Sequence, residues 1–291
     1  MTIAAETTVG RVKLTVRDLG VSRSFYERAL GLEVVADVGP VLTLAADGGS
    51  PLVELRGDHE APPLDHRLTG LFHFALLVPT RRDLALALVR LVRAGWQLTG
   101  ASDHLVSEAL YLDDPDGNGI EIYRDRPRSE WTHDQSGELR MATLPLDLNG
   151  LIGELDEDVV PGAGGRIPGM PAGTRMGHVH LQVAELRETE AFYGGALGFD
   201  VTVRTYPGAL FVSAGGYHHH IGLNTWNSRG AGPPVAGAVG LRAFEVVLPD
   251  GAQRDLVLGR LEAAGVPSEA VGDGTLVRDS SGNPVLLTQA G

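Results

Sequence analysis

The chain repeats itself, and that constrains its fold more than any other feature. Gly10, Val12, Leu14, Val16, Phe25, Tyr26, Leu30 and Gly31 recur without a gap as Gly177, Val179, Leu181, Val183, Phe192, Tyr193, Leu197 and Gly198. Pro79, Leu86, Leu88, Arg90, Leu91, Ala94 and Gly95 recur as Pro249, Leu256, Leu258, Arg260, Leu261, Ala264 and Gly265. A Gly-Asn turn stands near the end of each half, Gly117-Asn118 and Gly282-Asn283. Repetition on this scale means copies of one supersecondary unit packed on one another. Each half divides again, which gives four modules at residues 8–56, 70–125, 175–226 and 238–289. The first opens with an alternating strand, Val12, Leu14 and Val16 on one face, Arg11, Lys13 and Thr15 on the other. An amphipathic helix follows, with Phe25, Ala29 and Leu30 spaced to cover the strand's apolar face and Gly31 placed as its stop. Short β runs complete a β-α-β-β-β module, and the opposite, more polar sheet face is left to curl into a cup. The expected fold class is α+β, four βαβββ modules forming two cupped-sheet domains at residues 1–126 and 175–291. Residues 127–174 break the pattern and read as a linker, with a short helix within Asp147 to Leu155.

Composition narrows the chemistry. Lys and Arg number 24 and Asp and Glu 37, a net charge of −13, which argues against gripping nucleic acid or an anionic membrane. Cysteine is absent, so disulfides, thiolate metal sites and Cys nucleophiles are excluded. Any transition metal falls to His, Asp and Glu. No apolar run reaches the ~18–20 residues of a membrane helix. Met1 to Val9 shows no signal-peptide pattern, and the expected location is the cytoplasm.

Strand alternation sorts the titratable residues by face. In Gly177 to Val183 the valines and the leucine match the helix-covered face, so His178, His180 and Gln182 point into the cup. His73 takes the equivalent place in Phe72 to Val78, and Glu121 faces inward between Ile120 and Ile122. The same rule turns His218 and His220 inward. The matching positions of the first and fourth modules are blank: Arg11 stands for His178, Ala243 for His73 and Leu286 for Glu121. Setting the second and third modules face to face would gather His73, Glu121 and His178 around one point. Two imidazoles and one carboxylate leave open positions on a metal, the facial triad of oxygen-activating non-haem ferrous enzymes. His59, His66 and His133 lie in polar, loop-like sequence and read as surface residues. Glu245 shares a face with Ala243 and is the substitute ligand for a site built from the third and fourth modules.

The repeated modules, the Phe-Tyr-x-x-x-Leu-Gly helix ends and the run Asp114-Pro115-Asp116-Gly117-Asn118-Gly119-Ile120-Glu121 resemble the vicinal oxygen chelate superfamily of glyoxalases, bleomycin resistance proteins and extradiol dioxygenases. Ser107 to Tyr111 and Tyr217 to Asn224 resemble the bacterial two-domain catechol 2,3-dioxygenases within it. The resemblance covers nearly the whole chain outside the linker. It implies His178, His73 and Glu121 as metal ligands, with Tyr111 ten residues before the carboxylate as a companion of the site. It implies His219 as the acid–base residue, whereas face alternation favours His220; a β-bulge at Gly215-Gly216 or among the histidines would reconcile them. In the larger extradiol enzymes the third and fourth modules carry the site, so its assembly here between the second and third is a departure.

The resemblance implies a ring-cleaving dioxygenase that takes a small aromatic diol and O2 and holds Fe(II), with Mn, Ni or Zn as alternatives. His219 or His220 would take and return a phenolic proton, Tyr111 would orient the bound oxygens, and His104 would stand behind them. Two other readings share the fold. A glyoxalase-type lyase or isomerase uses a metal with a Glu base and usually two carboxylate ligands. A drug-binding protein without catalysis needs an aromatic-lined cup, for which Trp96, Trp226 and Phe211 are candidate walls. A homo-oligomer is left open.

Overall fold

The computed structural model describes residues 2–135, 137–159 and 165–290, so Ser136 and residues 160–164 of the linker lie outside the described residues. The first module is β1 (Thr8–Val16), α1 (Leu19–Arg28), β2 (Glu33–Val38), β3 (Val41–Ala45) and β4 (Pro51–Gly57). The second is β5 (Gly70–Leu77), α2 (Arg81–Arg93), β6 (Gly100–Asp103), β7 (Ser107–Asp113) and β8 (Gly119–Asp125). The linker holds β9 (Leu144–Pro145) and α3 (Leu148–Ile152). The third is β10 (Arg175–Gln182), α4 (Leu186–Glu190) running on as a π-turn over Ala191–Leu197, β11 (Asp200–Val203), β12 (Ala209–Ser213) and β13 (Ile221–Asn224). The fourth is β14 (Gly240–Leu248), α5 (Gly251–Ala263), β15 (Ser268–Val271), β16 (Gly274–Arg278) and β17 (Pro284–Gln289). All four modules are therefore βαβββ, as the repeats imply. Among the described residues no helix is long and apolar enough to cross a membrane.

The helices begin where side chains supply the missing acceptors. Asp18 accepts the N–H groups of Gly20 and Val21, and Thr80 and Asp83 form a capping box at α2. Asp147 caps the short linker helix by accepting the Gly150 N–H. Gly31 sits just past α1 at φ +76°, and a Cβ there would stand 2.8 Å from Nε of Arg90, so both backbone and packing require glycine.

Contacts divide the chain into two compact units. One comprises Met1–Thr15, Ala61–Phe74 and Gly177–Gly291, the other Val16–Glu60 and Ala75–Met176. They differ from a cut at the linker in two short stretches, which hold β1 and the start of β5. The reason in the first case is strand pairing: β1 bonds antiparallel to β14, Lys13 level with Ala243.

Each unit carries the same pair of pins. In one, the Tyr26 hydroxyl donates to Oδ2 of Asp114 at 3.0 Å, and Asp114 also accepts the N–H groups of Asp116 and Asn118 and the Asn118 amide. In the other, the Tyr193 hydroxyl donates to Oδ2 of Asp279 at 3.1 Å, and Asp279 accepts from Ser281 and Asn283 in the same way. Arg90 donates to the Leu30 carbonyl at 2.9 Å, and Arg260 to that of Leu197 at 2.5 Å. The repeated Tyr, Arg, Asp and Asn are thus the residues that tie the helix of one module to the turn or helix of the next. Burial lifts the Asp114 carboxyl to about 6 despite those donors, and moves Asp279 the same way.

Two sheets result, in the strand orders β15-β16-β17-β14-β1-β4-β3-β2 and β11-β12-β13-β10-β5-β8-β7-β6-β9. The expectation that the second and third modules pair face to face is corrected here. They stand side by side in one sheet, because the first strand of each, β5 and β10, satisfies its free edge on the other.

Candidate metal centre

β10 carries His178 and His180 two residues apart, hence on one face, and both are buried. β5 adds buried His73, whose ring lies 5.5 Å from that of His178 and 5.0 Å from that of His180. β13 runs parallel to β10 with Gly222 level with His180. A Cβ at Gly222 would stand 2.9 Å from the His180 ring, so this glycine makes room for the imidazole.

His218, His219 and His220 precede β13 instead of belonging to it. Gly215 and Gly216, both in the left-handed region at φ +59° and +66°, turn the chain before them. Period-two alternation does not extend through such a turn, so the expectation that His218 and His220 share an inward face is corrected. The centre of the His219 ring lies 4.2 Å from that of His178, tilted by 51°, and 4.9 Å from that of Phe211, edge-on. Its Nδ1 is hydrogen-bonded to Nδ1 of His218 at 2.8 Å. His220 instead accepts the Ala214 N–H on Nδ1 at 3.1 Å, and its ring packs on Tyr217 and Phe199. Of the two acid–base candidates, His219 is the one set against His178. Burial, and then the neighbouring imidazoles beginning with His178, hold His219 well below the ordinary histidine range, so it is a neutral base at neutral pH.

Glu121 lies buried in β8, level with Tyr111 of β7. Tyr111 packs on a cluster of Ala75, Leu77, Ala109 and Tyr123. Its hydroxyl is 2.7 Å from Nε2 of His104, and Nδ1 of His104 is 2.6 Å from the Ala142 carbonyl oxygen. A carbonyl can only accept, so Nδ1 carries the hydrogen, and Nε2 is the atom that meets the Tyr111 hydroxyl. Nothing in the sequence marks Ala142, a linker residue, as the group that fixes this tautomer.

The ligand atoms of His73, Glu121 and His178 all lie within 4.8 Å of one another, and all three residues are buried. Each comes from one of three consecutive strands, β5, β8 and β10. Two imidazoles and a carboxylate at this spacing are a donor set suited to Fe, Mn, Zn or Ni. Glu245 is not available as a substitute ligand. Its carboxylate accepts from Arg11 Nε at 3.1 Å and Nη2 at 2.9 Å and lies 3.6 Å from Lys13 Nζ, where cations repel a metal. His59, His66 and His133 are exposed, as their loop sequence implies.

Residues 8–122 and 175–287 match the family described as the Glyoxalase/Bleomycin resistance protein/Dioxygenase superfamily. The chain belongs to this superfamily. It is 45% identical over 280 residues to the catechol-2,3-dioxygenase of Bacillus subtilis (strain 168), covering 95% of each chain. The superfamily fold recurs in a putative dioxygenase of Bacillus subtilis subsp. subtilis str. 168, with a TM-score of 0.66 at 15% identity over 99% of this chain and 86% of that one. It recurs in glyoxalase I from Zea mays, with a TM-score of 0.58 at 15% identity over 98% and 92%. At these identities the two structures speak for the superfamily fold alone.

Proposed function

We propose that this member of the superfamily is an extradiol ring-cleaving dioxygenase that acts on a catechol-type diol with Fe(II) held by His73, Glu121 and His178. The observation that carries the reading is the buried grouping of two imidazoles and one carboxylate in a chain 45% identical to a catechol-2,3-dioxygenase. A ferrous ion in that donor set would bring diol and dioxygen to one centre and let electrons pass between them. The balance needs no further reductant: the carbon–carbon bond beside the diol breaks, both atoms of O2 enter the product, and a hydroxy-semialdehyde results.

The chain's own groups supply the proton handling. In the tautomer of neutral His219 whose Nδ1–H donates to Nδ1 of His218, Nε2 would take a phenolic proton and return it as the ring opens. Tyr111 stands level with Glu121, and its hydroxyl is held at 2.7 Å by Nε2 of His104, a placement suited to orienting a bound diol. A glyoxalase-type reaction would call for a second carboxylate beside Glu121, and Glu245 is bound to Arg11 and Lys13.

The test is oxygen uptake by protein loaded with ferrous ion under argon and then given catechols in air. Oxygen consumption with a yellow semialdehyde, lost in Glu121→Gln, is the expected result. No uptake across a panel of catechols would sink the proposal. Activity under argon with nickel or zinc would point to the glyoxalase reading, and metal-free binding of aromatic ligands without turnover to a binding protein.

A further inference from the structure

Resting on the dioxygenase reading, we infer that the substrate's ring carries an uncharged apolar substituent, which lies against a partly open aromatic basin formed by Phe72, Tyr206, Phe211 and Trp226 beside His180. The chain has 3 Trp, 6 Tyr and 7 Phe, so a quarter of its aromatic residues meet at this one place. The rings form a connected series. His180 lies 5.2 Å from Phe72, 5.7 Å from Phe211 and 5.4 Å from Trp226. Trp226 lies 5.4 Å from Phe72 and 6.3 Å from Tyr206, which is 5.8 Å from Phe211. The series touches the candidate centre at both His73, through His180, and His219, through Phe211.

Burial grades along it. Phe211 and His180 are buried, Phe72 and Tyr206 half-buried, and Trp226 is 44% exposed. A tryptophan left this open is ordinarily mobile, yet here it is held at two points. Its indole N–H donates to the Pro207 carbonyl at 2.9 Å, and its backbone N–H to Oδ1 of fully buried Asn224 at 3.1 Å. Apolar surface fixed in place and still facing water is preorganised for a flat or branched apolar group. Exposed Arg229 donates to the hydroxyl of Thr225, next in sequence to Trp226, and the benzoate arm of the test reads whether it anchors a carboxylate substituent instead.

The test separates this inference from the reaction itself. Metal-free protein under argon is titrated with 4-tert-butylphenol and with 4-hydroxybenzoate, read by line broadening of the ligand proton resonances, in the wild type, Trp226→Ala and Trp226→Tyr. The expected result is that 4-tert-butylphenol binds the wild type better than 4-hydroxybenzoate, and that its Kd rises about tenfold in Trp226→Ala and recovers in Trp226→Tyr. In turnover, 4-tert-butylcatechol should exceed 3,4-dihydroxybenzoate in kcat/KM, with the ratio falling in Trp226→Ala. Equal Kd values across the variants, or tighter binding of the benzoate, would overturn the inference even if catechols are cleaved. Selective phenol binding through Trp226 without oxygen uptake from any catechol would uphold the basin and refute the dioxygenase reading.

Discussion

Replacing Tyr26 by Phe removes one hydroxyl from a buried carboxylate and leaves the ring in place. The hydroxyl donates to Asp114 at 3.0 Å, both residues are buried, and the three donors from Asp116 and Asn118 remain. A hydrogen bond to a charged acceptor contributes ~1.5–3 kcal/mol, and one to a neutral acceptor ~0.5–1.5. The Asp114 carboxyl titrates at about 6 in the folded chain, above its ordinary 3.8. A raised acid pKa means that the folded state holds the proton longer. Asp114's own contribution therefore turns against the fold as pH climbs from 3.8 to about 6, and is constant above that. The Tyr26 bond is strongest to the carboxylate, so it offsets part of this loss, and only at the higher pH. Tyr26→Phe should then cost about 1.5–3 kcal/mol at pH 8 but about 0.5–1.5 at pH 5. At roughly 2–4 °C per kcal/mol, the Tm falls by about 3–12 °C at pH 8. Thermal melts followed by circular dichroism, in EDTA and at both pH values, measure it. A loss that is equal at the two pH values, or larger at pH 5, would refute the carboxylate–phenol account. Tyr193→Phe is expected to behave alike through Asp279, whose carboxyl is raised by the same cause.

Three further outcomes are expected. A divalent ion at 100 times its Kd should stabilise the wild type by about 2.7 kcal/mol, and Glu121→Gln should abolish the shift in a melt with Mn(II); an equal shift in the variant would remove Glu121 from the centre. His219→Asn should lower kcat by roughly 10²–10⁴, whereas His220→Asn should act mainly on stability through the Ala214 bond; the reverse ranking in oxygen uptake would return the acid–base role to His220. His104→Phe should lower kcat/KM by roughly 10–100-fold, the range for loss of a group that orients a ligand, and adding Tyr111→Phe should cost little more, since the pair acts as one; additive losses in a double-mutant cycle would show that His104 does not work through Tyr111.

What the sequence made legible depended on how regular each segment is. In β8 and β10 apolar residues alternate with Glu121 and with His178, His180 and Gln182, so the helix-covered face and its opposite can be told apart by counting. In β5 His73 is the one polar residue of an apolar run and is placed by its equivalence to the first strands of the other modules. Counting fails at His218 to His220, where two left-handed glycines replace strand with turn, and which imidazole reaches His178 becomes a matter of turn geometry. The Tyr26–Asp114 bond spans 88 residues and the Arg11–Glu245 pair 234, separations that no local pattern encodes. The duplication carries part of that information in another form: Tyr26 and Asp114 recur as Tyr193 and Asp279, and residues that recur away from any apolar face mark contacts common to both copies. The positions that fail to recur are as informative. Arg11 occupies the place of His178, and its guanidinium meets Glu245 from two nitrogens, so that an ion pair fills the β1–β14 pairing where the β10–β5 pairing carries imidazoles. The same module geometry thus serves two ends. Where a strand brings a cation to face a carboxylate, the pair neutralises itself and stabilises the sheet. Where the strands bring two imidazoles and a carboxylate together, the group is a donor set suited to a metal ion.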